Sequence, residues 1–185
     1  MIKMMDSKEK IRTTDPQLLE VIRYPDPQLR EVCTPIEEVD EELRALIRRM
    51  FVLMFESRGV GLAASQVGVT VRLFVASPTS EPDDCHVYIN PRILSAAGTQ
   101  NAEEGCLSFP TIFCNIKRAQ TVTIEATDMN GQRFQQTCDE LHSRIIQHEN
   151  DHIDGLLLVD RMGSVAKLSH RKSLQALEEQ FAVGR

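Results

Sequence analysis

The sequence predicts a single α+β domain in which antiparallel strands surround one central helix, with an amphipathic helix early in the chain and a further helix near its end. Three patterns carry that expectation: an apolar stripe at helical spacing over residues 43–54, a strand pair punctuated by Asn130-Gly131, and a capped helix from about Glu140 to about Ile153.

Taken in order, residues 1–17 are polar and aperiodic and precede the first apolar segment, so a flexible or loosely docked extension is expected there. From Asp40 onward, Leu43, Leu46, Ile47, Met50 and Met54 follow the i, i+3, i+4, i+7 rule, with Asp40 placed to cap the helix and Gly59 to stop it. Val71 to Ala76 and Val87 to Ile89 have strand length, the second ending at Asn90-Pro91, and SPTSEPDD between them reads as a loop. Thr121 to Thr127 alternates β-branched residues, and Asn130-Gly131 separates it from a second extended run, Gln132 to Thr137, which signals a hairpin. Asp139 is placed to cap the following helix, whose Leu141, Ile145 and Ile146 face the core and whose end is marked by Gly155. Ser164 is placed to cap a last helix, with Val165, Leu168, Leu174, Leu177 and Phe181 along one apolar face.

Composition narrows the function. A net charge of -6 argues against a broad basic surface for nucleic acid, while leaving room for a local basic patch. The five cysteines make an odd number with no CxxC pair, which fits a reducing cytoplasm better than a secreted disulfide framework. The charged first residues contain no apolar run of signal-peptide length, and no stretch reaches transmembrane length, so a cytoplasmic protein without a membrane partner is expected.

Chemistry concentrates in His148-Glu149-Asn150-Asp151-His152, an HExxH pattern. On a helix the two histidines lie four residues apart on one face, where their imidazoles can converge on one metal ion. Glu149 projects roughly 100° around the axis from His148, placed for general acid or base work on a metal-activated water rather than for ligation. The bland alternative is a pair of surface histidines beside a solvated glutamate.

A catalytic site of this type usually takes a third protein ligand and leaves one position for water, and HExxH alone does not identify that ligand. Cys106 is the sharpest candidate, because Gly105 beside it permits close backbone approach within Glu104-Gly105-Cys106-Leu107-Ser108. The alternative, a small buried hydrophobe, stands beside it, and is the reading given to Cys33, Cys85, Cys114 and Cys138. Upstream, Gly59 to Gln66 combines small residues with an amide donor; by itself it reads equally as a tight helix-terminating turn, and it is not a phosphate loop.

Together these segments resemble the peptide deformylase family, whose motifs GxGxAAxQ, EGCLS and QHExDH occur here in order as Gly59 to Gln66, Glu104 to Ser108 and Gln147 to His152. The resemblance spans residues 18–162 as a catalytic domain, leaving 1–17 as an N-terminal extension and 163–185 as a C-terminal helical extension. It implies an amide hydrolase that removes the formyl group from the N-terminal methionine of nascent polypeptides and releases formate. It further implies that Cys106, His148 and His152 hold one divalent metal, ferrous iron first and nickel, cobalt or zinc as substitutes, with water completing a tetrahedral site. Glu149 would shuttle the proton, and the Gln66 amide and the Leu107 backbone N–H would stabilise the oxyanion. Arg118 would pair with Glu104 to hold the cysteine segment. Val60, Leu141 and Ile145 are proposed among the walls of the methionine pocket, with Gly61 and Gly105 beside the substrate, although ordinary core roles explain the apolar three equally well.

Two departures from the family pattern stand out. Thr111-Ile112-Phe113-Cys114 replaces a glycine-led continuation after Pro110 with a bulkier, more apolar run, and Ser65 replaces a common proline. Two rival readings follow: a zinc endopeptidase, which the lack of a downstream third histidine disfavours, and a silent homologue that binds peptides or ribosomes. Lys167, Arg171 and Lys172 motivate docking of the final helix on ribosomal RNA; no DNA partner is expected.

Overall fold

Hydrophobic patterning and local capping account for most of the architecture, which a computed structural model describes over residues 5–183. Helix α1 (Ser7–Arg12) is followed by α2 (Glu41–Glu56), then by strands β1 (Gly61–Ala63), β2 (Leu73–Ala76), β3 (His86–Ala97), β4 (Gln100–Cys106), β5 (Phe109–Arg118), β6 (Thr121–Thr127) and β7 (Arg133–Asp139). Helices α3 (Glu140–Ile153), α4 (Leu158–Arg161), α5 (Ser164–Ser169) and α6 (Arg171–Val183) complete the described chain. Five strands form one antiparallel sheet in the order β1-β2-β3-β6-β7, while β4 and β5 pair separately as a hairpin. The α+β domain with antiparallel strands around the HExxH helix is as the sequence predicts. No described helix is long and apolar enough to cross a membrane.

The apolar stripe of α2 is fully used: Leu43, Leu46, Ile47, Met50 and Met54 are buried against Leu62, Val67, Leu73 and Val75, and the Asp40 carboxylate accepts the Leu43 N–H at 2.9 Å. A second cluster packs Ile145, Ile146 and Ile153 of α3 on Phe74, Tyr88, Val122 and Ile124 of the large sheet. The third lies beneath the hairpin, where Phe109, Ile112 and Ile116 meet Leu29, Leu157, Leu158, Met162 and Leu177. Helix α3 therefore packs on the sheet through the second cluster and meets the hairpin through polar side chains, Arg144 and His148 on Glu104 and Asp151 on Arg118.

Several expectations need correction. Strand β3 does not end at Asn90-Pro91 but bulges there, with Asn90 at φ 50°, and resumes to Ala97. A proline at a bulge costs no ladder bond, and the Asn90 side-chain amide exchanges two hydrogen bonds with the Ile36 backbone while its own N–H donates to the Arg72 carbonyl. The expected β6–β7 hairpin is present and closes over residues 128–132, where the Asp128 carboxylate accepts from the Asn130 and Gln132 N–H groups. Asp139 precedes α3 but makes no capping bond; its carboxylate accepts from Thr121 Oγ1 instead. The last helix is two helices separated at His170, preceded by Gly163 in the cap position; Leu177 is buried, whereas Val165 and Leu168 of α5 are exposed.

The described part of the N-terminal extension is docked rather than loose. Asp6 caps α1, Ile11 is buried in the α2 cluster, and Lys10 Nζ donates to the Thr70 carbonyl and hydroxyl at 3.1 and 2.8 Å. Removing a buried isoleucine to its Cβ costs about 2–5 kcal/mol. Ile11→Ala is therefore expected to lower unfolding free energy by about 2 kcal/mol or more in urea titration; a change within about 0.5 kcal/mol would mean that α1 adds nothing to the core.

Candidate functional site

Helix α3 carries His148 and His152 one turn apart, with ring centroids 5.1 Å from each other. Strand β4 ends at Cys106, bringing its Sγ to 3.2 Å from His152 Nε2. One donor atom from each of Cys106, His148 and His152 lies within 4.8 Å of the other two, and no second such His/Cys/Asp/Glu group of three exists among the described residues. A sulfur with two imidazoles suits a first-row divalent ion, whose tetrahedral ligands stand about 3.5 Å apart. The three residues therefore fit a metal.

The surroundings of His148 support that fit. Its Nδ1 lies 2.9 Å from Glu104 Oε2, and an ionised carboxylate only accepts, so Nδ1 holds a proton and Nε2 is the nitrogen that the neutral ring would offer to an ion. Burial alone would raise the Glu104 carboxyl, but hydrogen bonds from His148 and Arg118 overcome it and hold the group at about 2. Arg118 reaches Glu104 through Nε and Nη2 at 2.8 and 2.9 Å and Asp151 through Nη1 at 2.6 Å. Arg161 also binds Asp151.

Glu149 sits differently. It is buried, its Oε2 has no partner, and burial pushes its carboxyl up to about 7. Near that value a carboxyl can take up and return a proton at neutral pH, although a nearby dication would draw it down. Gly61 makes room for it: a Cβ there would collide with the Glu149 carboxylate and with Ile145 Cγ2.

A cleft of about 670 Å³ opens over these groups. Val60 and Gly61 reach it from the start of β1, Gln66 from the following turn, and Glu104, Gly105, Cys106 and Leu107 from the end of β4. Helix α3 contributes Leu141, Ile145, His148 and Glu149. His152 and Arg118 lie behind this surface, both buried. Leu141 is half-exposed at the cleft rather than core-facing, whereas Ile145 is buried in the α3 cluster as expected. Gln66 Oε1 accepts the Ala63 N–H at 2.9 Å, which aims its amide nitrogen at Ser108 Oγ, 3.2 Å away, and Cys106 Sγ, 3.5 Å away. Of the altered segment, Thr111 and Phe113 line the cleft, and the exposed Phe113 ring covers Gly105.

Sequence reasoning missed Arg144, Asp151, Arg161 and Ser108. The first two carried a usable signal, since Arg144 and Asp151 stand four and three residues from His148 and so share its side of the helix. Ser108 lies inside the Glu104 to Ser108 motif but was given no role of its own, and nothing local marks Arg161.

Comparisons with known proteins bear on the same residues. The profile of the polypeptide deformylase family matches residues 18–168. A peptide deformylase of Acidobacterium capsulatum is 44% identical over 149 residues, 80% of this chain and 88% of the relative. Among solved structures, a plant peptide deformylase superposes with a TM-score of 0.88 at 40% identity, covering 91% of this chain and 93% of the other. A peptide deformylase from Plasmodium falciparum gives 0.86 at 34% identity, covering 89% and 98%.

The tight seat of Glu149 generates a direct test. Gly61→Ala is expected to displace the Glu149 carboxylate or Ile145, visible in a crystal structure of the variant. A carboxylate left in its original place would show that the seat has slack.

Proposed function

Because the chain belongs to the polypeptide deformylase family, whose members are hydrolases, we propose that it removes the N-terminal formyl group from nascent polypeptides and releases formate at the Cys106, His148 and His152 centre. The observation that carries the proposal is the convergence of one thiol and two imidazoles within 4.8 Å, beside a buried carboxyl with an unpartnered oxygen.

Cys106, His148 and His152 would hold the ion, ferrous iron by family resemblance with nickel, cobalt or zinc as substitutes, and a bound ion would supply Lewis acidity toward water and the formyl oxygen. Glu149 takes the proton from the attacking water and returns it to the departing amine, which leaves poorly as an anion. The Gln66 amide, oriented by Ala63, and the Leu107 backbone N–H donate to the oxygen on which negative charge develops. Val60, Leu141 and Ile145 receive the methionine side chain, and Gly61 and Gly105 let the peptide backbone come close. Glu104 and Arg118 hold the β4 segment against α3.

Nascent chains as substrates imply a cytoplasmic setting, and the exposed Lys167, Arg171 and Lys172 on α5 and α6 support docking on ribosomal RNA. The division of the chain at residues 18 and 162 into extension, catalytic domain and helical tail belongs to the same reading.

Formate release from formyl-Met peptides by anaerobically prepared, iron- or nickel-loaded protein tests the proposal. Glu149→Ala is expected to lower turnover by about 100-fold or more with metal content unchanged; vigorous turnover by this variant would remove Glu149 from its role. Cys106→Ser is expected to reduce metal content, because a neutral hydroxyl is a poorer ligand than a thiolate. Retained metal and activity would exclude Cys106 as a ligand. A wild-type protein that binds metal and peptide yet releases no formate would favour the silent-homologue reading.

A further inference from the structure

Sulfur and imidazoles arrive at the candidate centre on separate elements, Cys106 on β4 and both histidines on α3. These elements share no sheet, so side chains must fix their separation. Arg118, on β5, joins Glu104 to Asp151. Arg144 makes the complementary connection from α3 itself. Its Nη1 donates to Glu104 Oε1 at 2.5 Å, to the Ile116 carbonyl at 3.0 Å and to the Ala102 carbonyl at 3.4 Å. One nitrogen thus reaches both strands of the hairpin from a point one turn before His148. The guanidinium is buried, and its Nη2 has no protein acceptor. Burying a guanidinium is costly unless acceptors surround it, and here they come from both strands of the hairpin.

We infer that Arg144 is a positioning residue for the metal centre, setting how far the thiolate strand stands from the imidazole helix and steadying the carboxylate that orients His148. This rests on the metal-site reading above. Arg118 alone does not replace it, since Arg118 grips Glu104 from β5 and reaches α3 only through Asp151. Partners that orient metal ligands commonly alter affinity by about 10–100-fold when removed.

The test uses Co2+ as the probe ion, loaded into the full chain as wild type, Arg144→Met and Arg144→Lys. Competition against a chelator is expected to give a Co2+ Kd raised about 10–100-fold in Arg144→Met, with loss of intensity or a shift in the thiolate-to-cobalt absorption. Arg144→Lys keeps the charge near Glu104 without the arginine's fork, so an intermediate Kd is expected. A merely structural arginine would lower the Tm of the metal-free variants and leave Kd and spectrum unchanged, which would overturn the inference. Should Arg144→Met not fold, the lysine variant decides alone: a wild-type Kd and spectrum refute the role. Failure of the wild type to bind Co2+ would overturn the metal-site reading and this inference with it.

Discussion

The buried Glu104 carboxylate is where the hairpin, the large sheet's neighbouring helix and the cleft are tied together. It accepts from Arg118, Arg144 and His148, with both of its oxygens used. A lone carboxylate at this depth would be neutral or expelled; two guanidinium groups keep it charged. Its charge then fixes the imidazole of His148, and its place on β4, two residues before Cys106, fixes the sulfur. Asp151 balances Arg118 and Arg161 in the same network. Breaking such a network by deleting one member leaves an unpaired buried charge, so its parts stand or fall as a unit.

Helix α3 carries an uneven local cost. Of the buried side-chain atoms without a partner among the described residues, Arg144 Nη2, Glu149 Oε2, Asn150 Oδ1 and His152 Nδ1 all belong to it, and only Arg49 Nε lies elsewhere. An atom of this kind that also lacks a water partner costs about 1–3 kcal/mol. The helix stays folded because Ile145, Ile146 and Ile153 pack on the large sheet while its polar side meets the hairpin. Stability is supplied on one face and chemistry is placed on the other.

Much of this was legible in the sequence, and the reasons are local. Helix α2 and the helix of the HExxH pattern announce themselves through 3.6-residue spacing, and β6 and β7 through alternation around a turn. The cleft gathers the three motifs because β1, the end of β4 and one side of α3 converge on it. The hairpin of β4 and β5 escaped notice because Gln100 to Cys106 is polar and largely exposed, without an alternating apolar pattern. The bulge at Asn90 hid the second half of β3, since Asn-Pro ordinarily ends a strand, whereas here the distant Ile36 backbone anchors the Asn90 side chain and β6 pairs with the strand beyond it. The break at His170 was masked by apolar residues that kept helical spacing through it. Arg144 was invisible as a contact because its acceptors lie on β4, which has no apolar alternation, and on β5, whose alternation of Ile112, Cys114 and Ile116 was readable but does not say which helix it faces.

Glu149 is seated against Gly61. A methyl group at position 61 needs the volume that the carboxylate occupies. Shortening the acid to aspartate would withdraw its oxygen atoms from that volume, though the contact with Ile145 would remain. Two positions far apart in the chain thus compete for one volume, and the effects of changing them are coupled rather than additive.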